Sequence, residues 1–288
     1  MTTCRELLRK GTIRLREDGI EAPRLEAEVL LAHAWERERT DLFVFSEDEV
    51  PSRVVKEFCA LLERRCRRVP IAYLTGEKEF MSLPFSVNPE VLIPRPETEL
   101  LVERVLDFLR EKKGAGELLI ADVGTGSGAV AVSLAFYSPR ARLLATDISC
   151  GALEVARENA HRNGVGERVE FLHGDLLAPL LARGMVGVGT VVAANLPYIP
   201  SSEMATLPPD VRYEPSIALD GGEDGLDLYR RLVPQAAVFL ASGGLLACEV
   251  GPGQAAAFAG ILDREGWRRI GIDKDYRGLP RLVTAVRG

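Results

Sequence analysis

From residue 118 onward, the chain alternates short apolar runs with stretches of helical spacing. The apolar runs, of the kind that buried parallel strands show, occupy residues 118–123, 142–147, 169–172, 190–194 and 244–250. Helical stretches lie at residues 129–137, 151–163 and 227–240, and a helix at 255–265 and two strands at about 269–273 and 282–286 close the pattern. This alternation predicts an α/β domain with a doubly wound sheet that binds ligands at its carboxyl edge.

The first third of the chain has helical patterns and no catalytic constellation. Thr3 and Glu6 have the spacing of a capping box, and Pro23 occupies a position typical of a first helical turn. A longer amphipathic helix is predicted over about residues 52–68. Because these helices have apolar faces, we predict a small helical bundle over residues 1–72 that recognises the substrate.

The remaining domain boundaries follow from a shift in composition. Prolines and a glycine interrupt any helix after Val69, so residues 73–96 are predicted to form a hairpin-like connector. An amphipathic helix begins at Glu97, and residues 97–288 are predicted to form the sheet-containing domain. For Arg95 and Glu97, an ion pair or a helix start is at least as good an interpretation as a functional role.

Bulk composition argues against several functional classes. A net charge of −6 is unusual for a general nucleic-acid-binding protein, and a basic cluster at Arg64, Arg65, Arg67 and Arg68 is predicted to interact with a helix C-terminus instead. The five cysteines and three histidines are scattered, which predicts neither a disulfide framework nor a metal site. No apolar run has membrane-spanning length. We expect a cytoplasmic monomer without a metal, a membrane or a direct nucleic-acid partner.

A glycine-rich loop follows the first strand of the predicted sheet. It comprises Gly124, Thr125, Gly126, Ser127 and Gly128. Glycine lets the backbone approach a ligand closely, and the N–H groups at the start of the next helix are exposed to that ligand. Asp147 ends the following strand, about where an acid that binds ribose hydroxyls is expected. NAD enzymes share this pair, but the G-x-G-x-G spacing differs from the dinucleotide pattern and favours S-adenosylmethionine, which has no pyrophosphate.

A third strand end contributes Asp175 and Leu176. The Asp175 carboxylate is predicted to accept a hydrogen bond from the adenine amino group, and Leu176 is predicted to cover the ring. An isolated aspartate at a strand end is more often a helix cap. The glycine loop, Asp147 and Asp175 follow three successive strands of the predicted sheet, and this shared position favours contact between Asp175 and the cofactor.

The fourth strand is followed by Asn195-Leu196-Pro197-Tyr198. The Asn195 side-chain oxygen and the Leu196 carbonyl are candidates to hold both hydrogens of a planar –NH2 group so that it faces the methyl sulfonium. Pro197 fixes the turn, and Tyr198 is placed to pack against the substrate. No strong general base is needed, because the proton can leave after methyl transfer. We therefore predict methyl transfer to an amide or amine nitrogen, catalysed by these four residues.

Further segments carry longer motifs. They read Pro-Ile-Ala-Tyr-Leu-Thr-Gly at 70–76, Leu-Ile-Pro-Arg-Pro-Glu-Thr-Glu at 92–99, Glu-Pro at 214–215, Ala-Leu-Asp-Gly-Gly at 218–222 and Glu-Val-Gly at 249–251. With the glycine loop and the asparagine box, these segments resemble the HemK/PrmC family of protein-(glutamine-N5) methyltransferases. The resemblance spans nearly the whole chain beyond residue 70, and residues 93–99 are highly specific to this family.

The resemblance implies a class I methyltransferase fold, Rossmann-like and with seven mostly parallel strands, behind a small N-terminal helical domain. It implies S-adenosylmethionine as the donor and S-adenosylhomocysteine as the product. The implied substrate is the glutamine of the Gly-Gly-Gln loop in class 1 peptide chain release factors, which links the protein to translation termination. It also implies that the glycine loop, Asp147, Leu176 and Asn195 contact the donor.

The box departs from the family pattern at one position. The family usually has Asn-Pro-Pro-Tyr, whereas Leu196 stands in place of the first proline. Leucine retains the backbone carbonyl but loses the fixed φ of proline. Asn-Leu-Pro-Tyr also resembles the box of ribosomal-RNA adenine dimethyltransferases, and adenine N6 is likewise a planar –NH2 group. An adenine-N6 methyltransferase is therefore the main alternative, and a catalytically inactive adaptor with the same fold is another.

Overall fold

The computed structural model describes residues 2–112 and 118–288, and the chain forms two compact units. The first unit consists of Met1–Glu77 and Pro208–Tyr213, and the second of Lys78–Leu207 and Glu214–Gly288. This division differs from the predicted boundaries in two respects. The predicted connector, residues 73–96, is shared between the units, and a short segment from the predicted catalytic domain belongs to the first unit.

The first unit is helical. Its helices are α1 (Cys4–Glu17), α2 (Pro23–Trp35), α3 (Asp41–Val44), α4 (Ser52–Cys66) and α5 (Ile71–Thr75). The Thr3 hydroxyl accepts a hydrogen bond from the Glu6 amide, and the Glu6 carboxylate accepts one from the Thr3 amide, so α1 begins with the predicted capping box. Pro23 occupies the first turn of α2. Leu30, Leu31 and Phe58 are among the buried side chains that form its core.

The basic cluster near the end of α4 is divided between two structural roles. Arg65 is 5% exposed and forms ion pairs with Glu26 of α2 and with Asp210. The Arg68 guanidinium donates to the carbonyl of Asp18, the residue that caps the C-terminus of α1, at 2.6 Å. The segment that contains Asp210 is thus tied to the first unit by a buried charge, which local sequence patterns do not reveal.

The second unit alternates strands and helices. Its first part comprises β1 (Glu77–Phe80), β2 (Leu83–Ser86), α6 (Glu99–Glu111), β3 (Leu118–Val123), α7 (Ala129–Tyr137), β4 (Ala141–Asp147), α8 (Cys150–Arg162) and β5 (Val169–His173). It continues with α9 (Ala178–Ala182), β6 (Gly189–Ala194), α10 (Asp227–Phe239), β7 (Leu240–Glu249), α11 (Ala255–Arg264), β8 (Arg268–Lys274) and β9 (Pro280–Val286). Short 3-10 turns separate several of these elements.

Seven of the strands form one sheet, in the order β5-β4-β3-β6-β7-β9-β8. The pairs from β5 to β7 are parallel, and β9 is antiparallel to both β7 and β8. The sheet is therefore seven-stranded and mostly parallel, as the family resemblance implies. The chain leaves β3 towards β4 and β5 and then crosses to β6 on the other side, and such a switch point opens a crevice at the carboxyl ends of the strands.

Helices cover both faces of this sheet. On one face, Ile120 of β3 and Leu143 of β4 pack with Leu101 and Val105 of α6. On the other face, Val192 of β6 packs in the same core as Tyr229 of α10 and Phe258 of α11. Because both faces are buried, the strands appear in the sequence as nearly continuous apolar runs.

The strands β1 and β2 pair as a small two-stranded sheet. Phe80 and Phe85 are buried in the core that α6 covers, with their ring centroids 6.0 Å apart. The predicted hairpin is therefore present, but it packs into the core of the second unit. The helix predicted to begin at Glu97 starts at Glu99, after a 3-10 turn at Pro96–Thr98. In the described residues, no helix has both the length and the apolarity that crossing a bilayer requires.

Candidate active site

A cavity of about 570 Å³ lies in the second unit, at the carboxyl ends of β3, β4, β5 and β6. Its lining includes Gly124–Ser127, Asp147, Asp175, Leu176 and Asn195–Pro197, together with Arg95, Thr98, Asp122, Ile217, Gly221 and Arg231. The predicted site residues thus surround one cavity, with two exceptions. Gly128 and Tyr198 do not line it.

The glycine loop forms the wall that follows β3. The backbone N–H groups of Gly124 and Thr125 both donate to the Thr146 carbonyl, at 2.9 and 3.0 Å. Gly124 has a φ of +71°, and a Cβ atom there would lie 2.9 Å from Cδ2 of Leu196. Only glycine tolerates both the left-handed backbone and this close approach. The loop and the asparagine box are therefore in direct contact.

Gly128 has a different role from the other loop glycines. Its φ is +80°, and a Cβ atom there would lie 3.1 Å from that of Ala156 in α8. The glycine at this position allows α7 to pack closely on α8. A G-x-G-x-G motif therefore does not identify which of its glycines contacts a ligand.

Asp122, near the end of β3, shapes the glycine loop, and no local sequence pattern marks it as a site residue. Its carboxylate accepts a hydrogen bond from the Thr125 hydroxyl at 2.6 Å and one from the Ala131 amide at 3.1 Å. Burial raises the pKa of Asp122 to about 6, although these two hydrogen bonds favour the charged form. The carboxylate thus connects the end of β3 to the first turn of α7.

Asp147 connects β4 to the same loop. One carboxylate oxygen accepts from the Gly126 amide and the other from the Ser149 amide, each at 2.9 Å. Burial is the main reason why its pKa is raised, and the amide hydrogen bonds partly offset the effect. Asp147 therefore organises the glycine loop in addition to lining the cavity, where ribose binding stays a prediction.

Asp175, which follows β5, forms an ion pair. The Asp175 carboxylate binds the guanidinium of Arg231, a residue of α10 that also lines the cavity. Leu176 is buried and has a φ of +50°, an uncommon value for leucine. The predicted adenine acceptor is thus already paired with a cation from a helix 56 residues further along the chain.

Two side chains from other parts of the fold, Thr98 and Tyr229, contact the first two residues of the asparagine box. Asn195 Nδ2 donates to the Thr98 hydroxyl oxygen at 3.0 Å, which leaves Asn195 Oδ1 as an available acceptor. The buried Tyr229 hydroxyl lies 3.1 Å from the Leu196 carbonyl oxygen and 2.5 Å from the Glu249 carbonyl oxygen, so its single proton is shared between these two acceptors. A carbonyl oxygen has two lone pairs, so this bond leaves one for a substrate.

Tyr198 makes contacts outside the cavity. Its carbonyl accepts from Gln254 Nε2 at 2.8 Å, and its hydroxyl accepts from Arg281 Nη2 at 3.2 Å. The Arg281 guanidinium carbon also lies 5.4 Å from the centre of the Tyr198 ring. The structure therefore places Tyr198 as a support of the box and does not bring it among the residues around the cavity.

Arg95, which lines the cavity and is half-buried, forms an ion pair with the buried Glu214. The Glu214 carboxylate binds the Arg95 guanidinium and accepts a hydrogen bond from the Ile93 amide at 3.0 Å. This contact joins two of the longer sequence motifs, residues 92–99 and Glu214-Pro215. The ion-pair interpretation of Arg95 agrees with the structure, although its partner is Glu214.

The cavity fits S-adenosylmethionine in several respects. Its volume of about 570 Å³ lies within the usual range for small-molecule sites. The positions around it offer a glycine backbone without side chains, the carboxylate of Asp147 and the apolar side chain of Leu176. Within the described residues, no group of three or more His, Cys, Asp or Glu side chains is placed to hold a metal ion.

Comparison with known proteins agrees with this geometry. The PrmC N-terminal domain model matches residues 6–76, and a methyltransferase domain model matches residues 120–208. The chain is 48% identical to the release factor glutamine methyltransferase of Moorella thermoacetica, over 99% of each chain. It is 38% identical to the protein of that name from Deinococcus radiodurans, over 98% of each chain.

Solved structures show the same fold. The hMettl16 catalytic domain in complex with MAT2A 3'UTR hairpin 6 has a TM-score of 0.60 at 15% identity, covering 77% of this chain and 81% of that one. The N-terminal domain of human METTL16 in complex with SAH has a TM-score of 0.54 at 16% identity, covering 71% and 75%. Fold and site together define a methyltransferase that uses S-adenosylmethionine. The chain belongs to the family of release factor glutamine methyltransferases.

Proposed function

We propose that this protein methylates the side-chain amide nitrogen, N5, of the glutamine in the Gly-Gly-Gln loop of class 1 peptide chain release factors, and so modulates translation termination. The observation that carries the proposal is the orientation of the Asn195 amide. Its nitrogen donates to Thr98, so its oxygen is available to accept a hydrogen bond at the cavity. The sequence identity of 48%, over 99% of the chain, to a relative that is named for this activity supports the same substrate.

The donor is held by the glycine loop, Asp147 and Leu176 in this proposal. S-adenosylmethionine, when bound, supplies an electrophilic methyl group. The loop presents backbone N–H groups, and Asp147 keeps the loop in shape through the Gly126 and Ser149 amides. Because Leu196 lies against Gly124, the donor wall and the substrate clamp are fixed relative to each other.

The protein's task towards the substrate is to orient a weak nucleophile. An amide nitrogen has its lone pair delocalised into the carbonyl, so its reactivity depends on conformation and on charge stabilisation. Asn195 Oδ1 accepts one N–H of the glutamine amide, and the free lone pair of the Leu196 carbonyl accepts the other. Both acceptors stabilise the positive charge that develops on nitrogen, and the excess proton leaves afterwards to water.

The test uses purified protein and S-adenosylmethionine labelled in the methyl group. We expect label to enter a release factor with an intact Gly-Gly-Gln loop and not a matched release factor in which that glutamine is alanine. Ribosomal RNA and DNA are incubated in parallel, because the asparagine box also suits an adenine amino group. Label in nucleic acid alone would replace the proposal by adenine-N6 methylation, and donor binding without any labelling would favour an adaptor.

We also propose where this activity takes place and in what form. The protein acts in the cytoplasm as a monomer, on a protein partner and without direct contact to nucleic acid. The net charge of −6 supports a protein partner, and the five scattered cysteines support a reducing compartment.

The N-terminal helical domain, residues 1–72, is proposed to recognise the release factor. Phe43 and Val44 of the short helix α3 are adjacent, and they are 54% and 75% exposed. Neighbouring exposed apolar side chains of this kind are common at protein-binding surfaces. Deleting this domain would also strip Asp210 of its buried partner Arg65, so surface substitutions are the better test.

The Phe43→Ser/Val44→Ser double variant should raise the KM for the release factor about tenfold, because exposed apolar anchors contribute to association. Its kcat and its Kd for S-adenosylhomocysteine should stay unchanged. The matched control is Val186→Ser/Val188→Ser, which alters two exposed valines of the second unit. An unchanged KM, or an equal rise in the control, would remove this surface from substrate recognition.

A further inference from the structure

Thr98 lines the cavity, and the proposed reaction assigns it no role of its own. It lies directly before α6 and is 4% exposed, and its hydroxyl oxygen accepts the hydrogen bond from Asn195 Nδ2. A threonine hydroxyl has a single proton to donate and oxygen lone pairs that accept. The Thr98 oxygen accepts from Asn195 Nδ2, so the Thr98 proton must be donated to another group. If that proton turned towards Asn195 instead, the Asn195 amide would have to present its oxygen to Thr98.

The buried carboxylate of Glu249 lies close to the Thr98 hydroxyl. Glu249 ends β7, is 1% exposed and does not line the cavity. Among the residues that the structure describes, none forms a hydrogen bond of normal geometry with either carboxylate oxygen, although the Thr98 hydroxyl is close enough to favour the charged form of Glu249. A buried carboxylate with so few partners is costly, and packing alone does not account for it.

The surroundings of Glu249 bring its titration close to neutral pH. Burial raises the pKa of Glu249 to about 7, while Thr98 and the Arg281 guanidinium, 3.7 Å away, favour the charged form. The other ionisable groups around it are Glu97, Arg95, Tyr198 and Tyr229. Glu97 raises the pKa of Glu249 and Arg95 lowers it, and the two tyrosines stay neutral at this pH because burial raises their own pKa values.

We propose that Thr98 and Glu249 are positioning residues that hold the Asn195 amide with its oxygen towards the substrate, and that this arrangement requires ionised Glu249. The inference rests on the proposed function, in which Asn195 Oδ1 accepts an N–H of the substrate amide. Ionised Glu249 accepts the Thr98 proton, so the Thr98 oxygen faces the Asn195 NH2 group. Protonated Glu249 can donate to the Thr98 oxygen, so the Thr98 proton is released to turn towards Asn195 and the amide is no longer held in one orientation.

The pH dependence of turnover and that of stability have opposite signs. Turnover rises as the pH increases through about 7, since ionised Glu249 directs the Thr98 hydroxyl correctly. A carboxyl whose pKa is raised by folding stabilises the folded state at low pH, and this contribution is lost as the pH rises through its folded pKa. Glu249 thus makes the protein less stable under the conditions in which it is most active, and groups with strongly shifted pKa values cluster at functional sites.

The first test is a set of threonine variants assayed with a release factor. Thr98→Val keeps the shape but loses the hydroxyl, and it should lower kcat about tenfold, roughly the effect of losing one orienting hydrogen bond. Donor affinity should stay within twofold, and Thr98→Ser should restore kcat. The control is Thr284→Val, a buried threonine of β9. A kcat in Thr98→Val equal to that of the unmodified protein would overturn the proposal.

The second test is Glu249→Gln, followed from pH 6 to pH 8. The unmodified enzyme should show an inflection in kcat near pH 7, and the variant should show none in this range. At pH 8 the variant should melt at the same temperature or a higher one, because a buried charge has been removed. An inflection that persists in Glu249→Gln would assign the titration to another group and overturn the role of Glu249.

The third test needs no substrate and therefore separates this inference from the proposed function. The Asn195 side-chain NH2 signal, identified in NMR spectra by its loss in Asn195→Ala, should titrate near pH 7 and become pH-invariant in Thr98→Val and Glu249→Gln. A titrating signal in a protein that methylates no release factor would refute the proposed substrate alone. A signal that does not titrate in an active enzyme would overturn the positioning role alone.

Discussion

Replacing Asn195 by alanine should lower kcat for release-factor methylation by roughly 100- to 1000-fold, the range found when a preorganised group that stabilises developing charge is removed. The variant loses the acceptor that we propose fixes one hydrogen of the substrate amide. It also leaves the Thr98 hydroxyl without its Asn195 partner. The remaining acceptor, the Leu196 carbonyl, cannot alone hold the amide plane towards the methyl donor.

The affinity for the donor separates this role from general damage to the site. Because the glycine loop and Asp147 are held by their own hydrogen bonds, the Kd for S-adenosylhomocysteine should rise no more than a few-fold in calorimetry. Asn163→Ala, at the C-terminus of α8, is the matched control and should retain full turnover. Normal turnover by Asn195→Ala would exclude Asn195 from the mechanism.

Local sequence patterns predict much of this fold because the sheet is buried on both faces. The strand Leu118–Val123 and the helix Ala129–Tyr137 begin and end where the pattern predicts. The strand β7 begins at Leu240 and not at residue 244, because Ser242 and Gly243 interrupt the apolar run while the backbone stays extended. The helix α9 was not predicted, since five residues with a proline carry too short a periodic signal.

The candidate site is predictable only where its residues follow strands. Asp147, Asp175 and Asn195 surround one cavity because the carboxyl ends of parallel strands share an edge. Local sequence patterns did not identify Thr98 and Arg231 as site residues. Their hydrogen-bond partners, Asn195 and Asp175, lie 97 and 56 residues away in the sequence. In the sequence, Glu249 is recognisable only as part of the motif at residues 249–251. Its chemistry depends on its burial, which local sequence patterns do not reveal.

Asp147 provides the second large expected effect. The Asp147→Ala variant should bind S-adenosylhomocysteine roughly 100-fold more weakly, because charge-assisted hydrogen bonds to two backbone amides are lost together. These amides belong to Gly126 and Ser149, so the glycine loop loses its shape and the cavity loses the proposed acceptor for the ribose. Isothermal titration calorimetry measures this effect directly, and no methyl acceptor is required.

Two further variants locate the cause of that loss. Asp147→Asn keeps an acceptor oxygen for one of the two amides, so its affinity should lie between those of the unmodified protein and Asp147→Ala. Asp263→Ala removes an exposed carboxylate from α11 and should leave binding unchanged. If Asp147→Ala binds as tightly as the control, the loop is shaped by the Thr146 carbonyl and Asp122 alone, and Asp147 has no part in holding the donor.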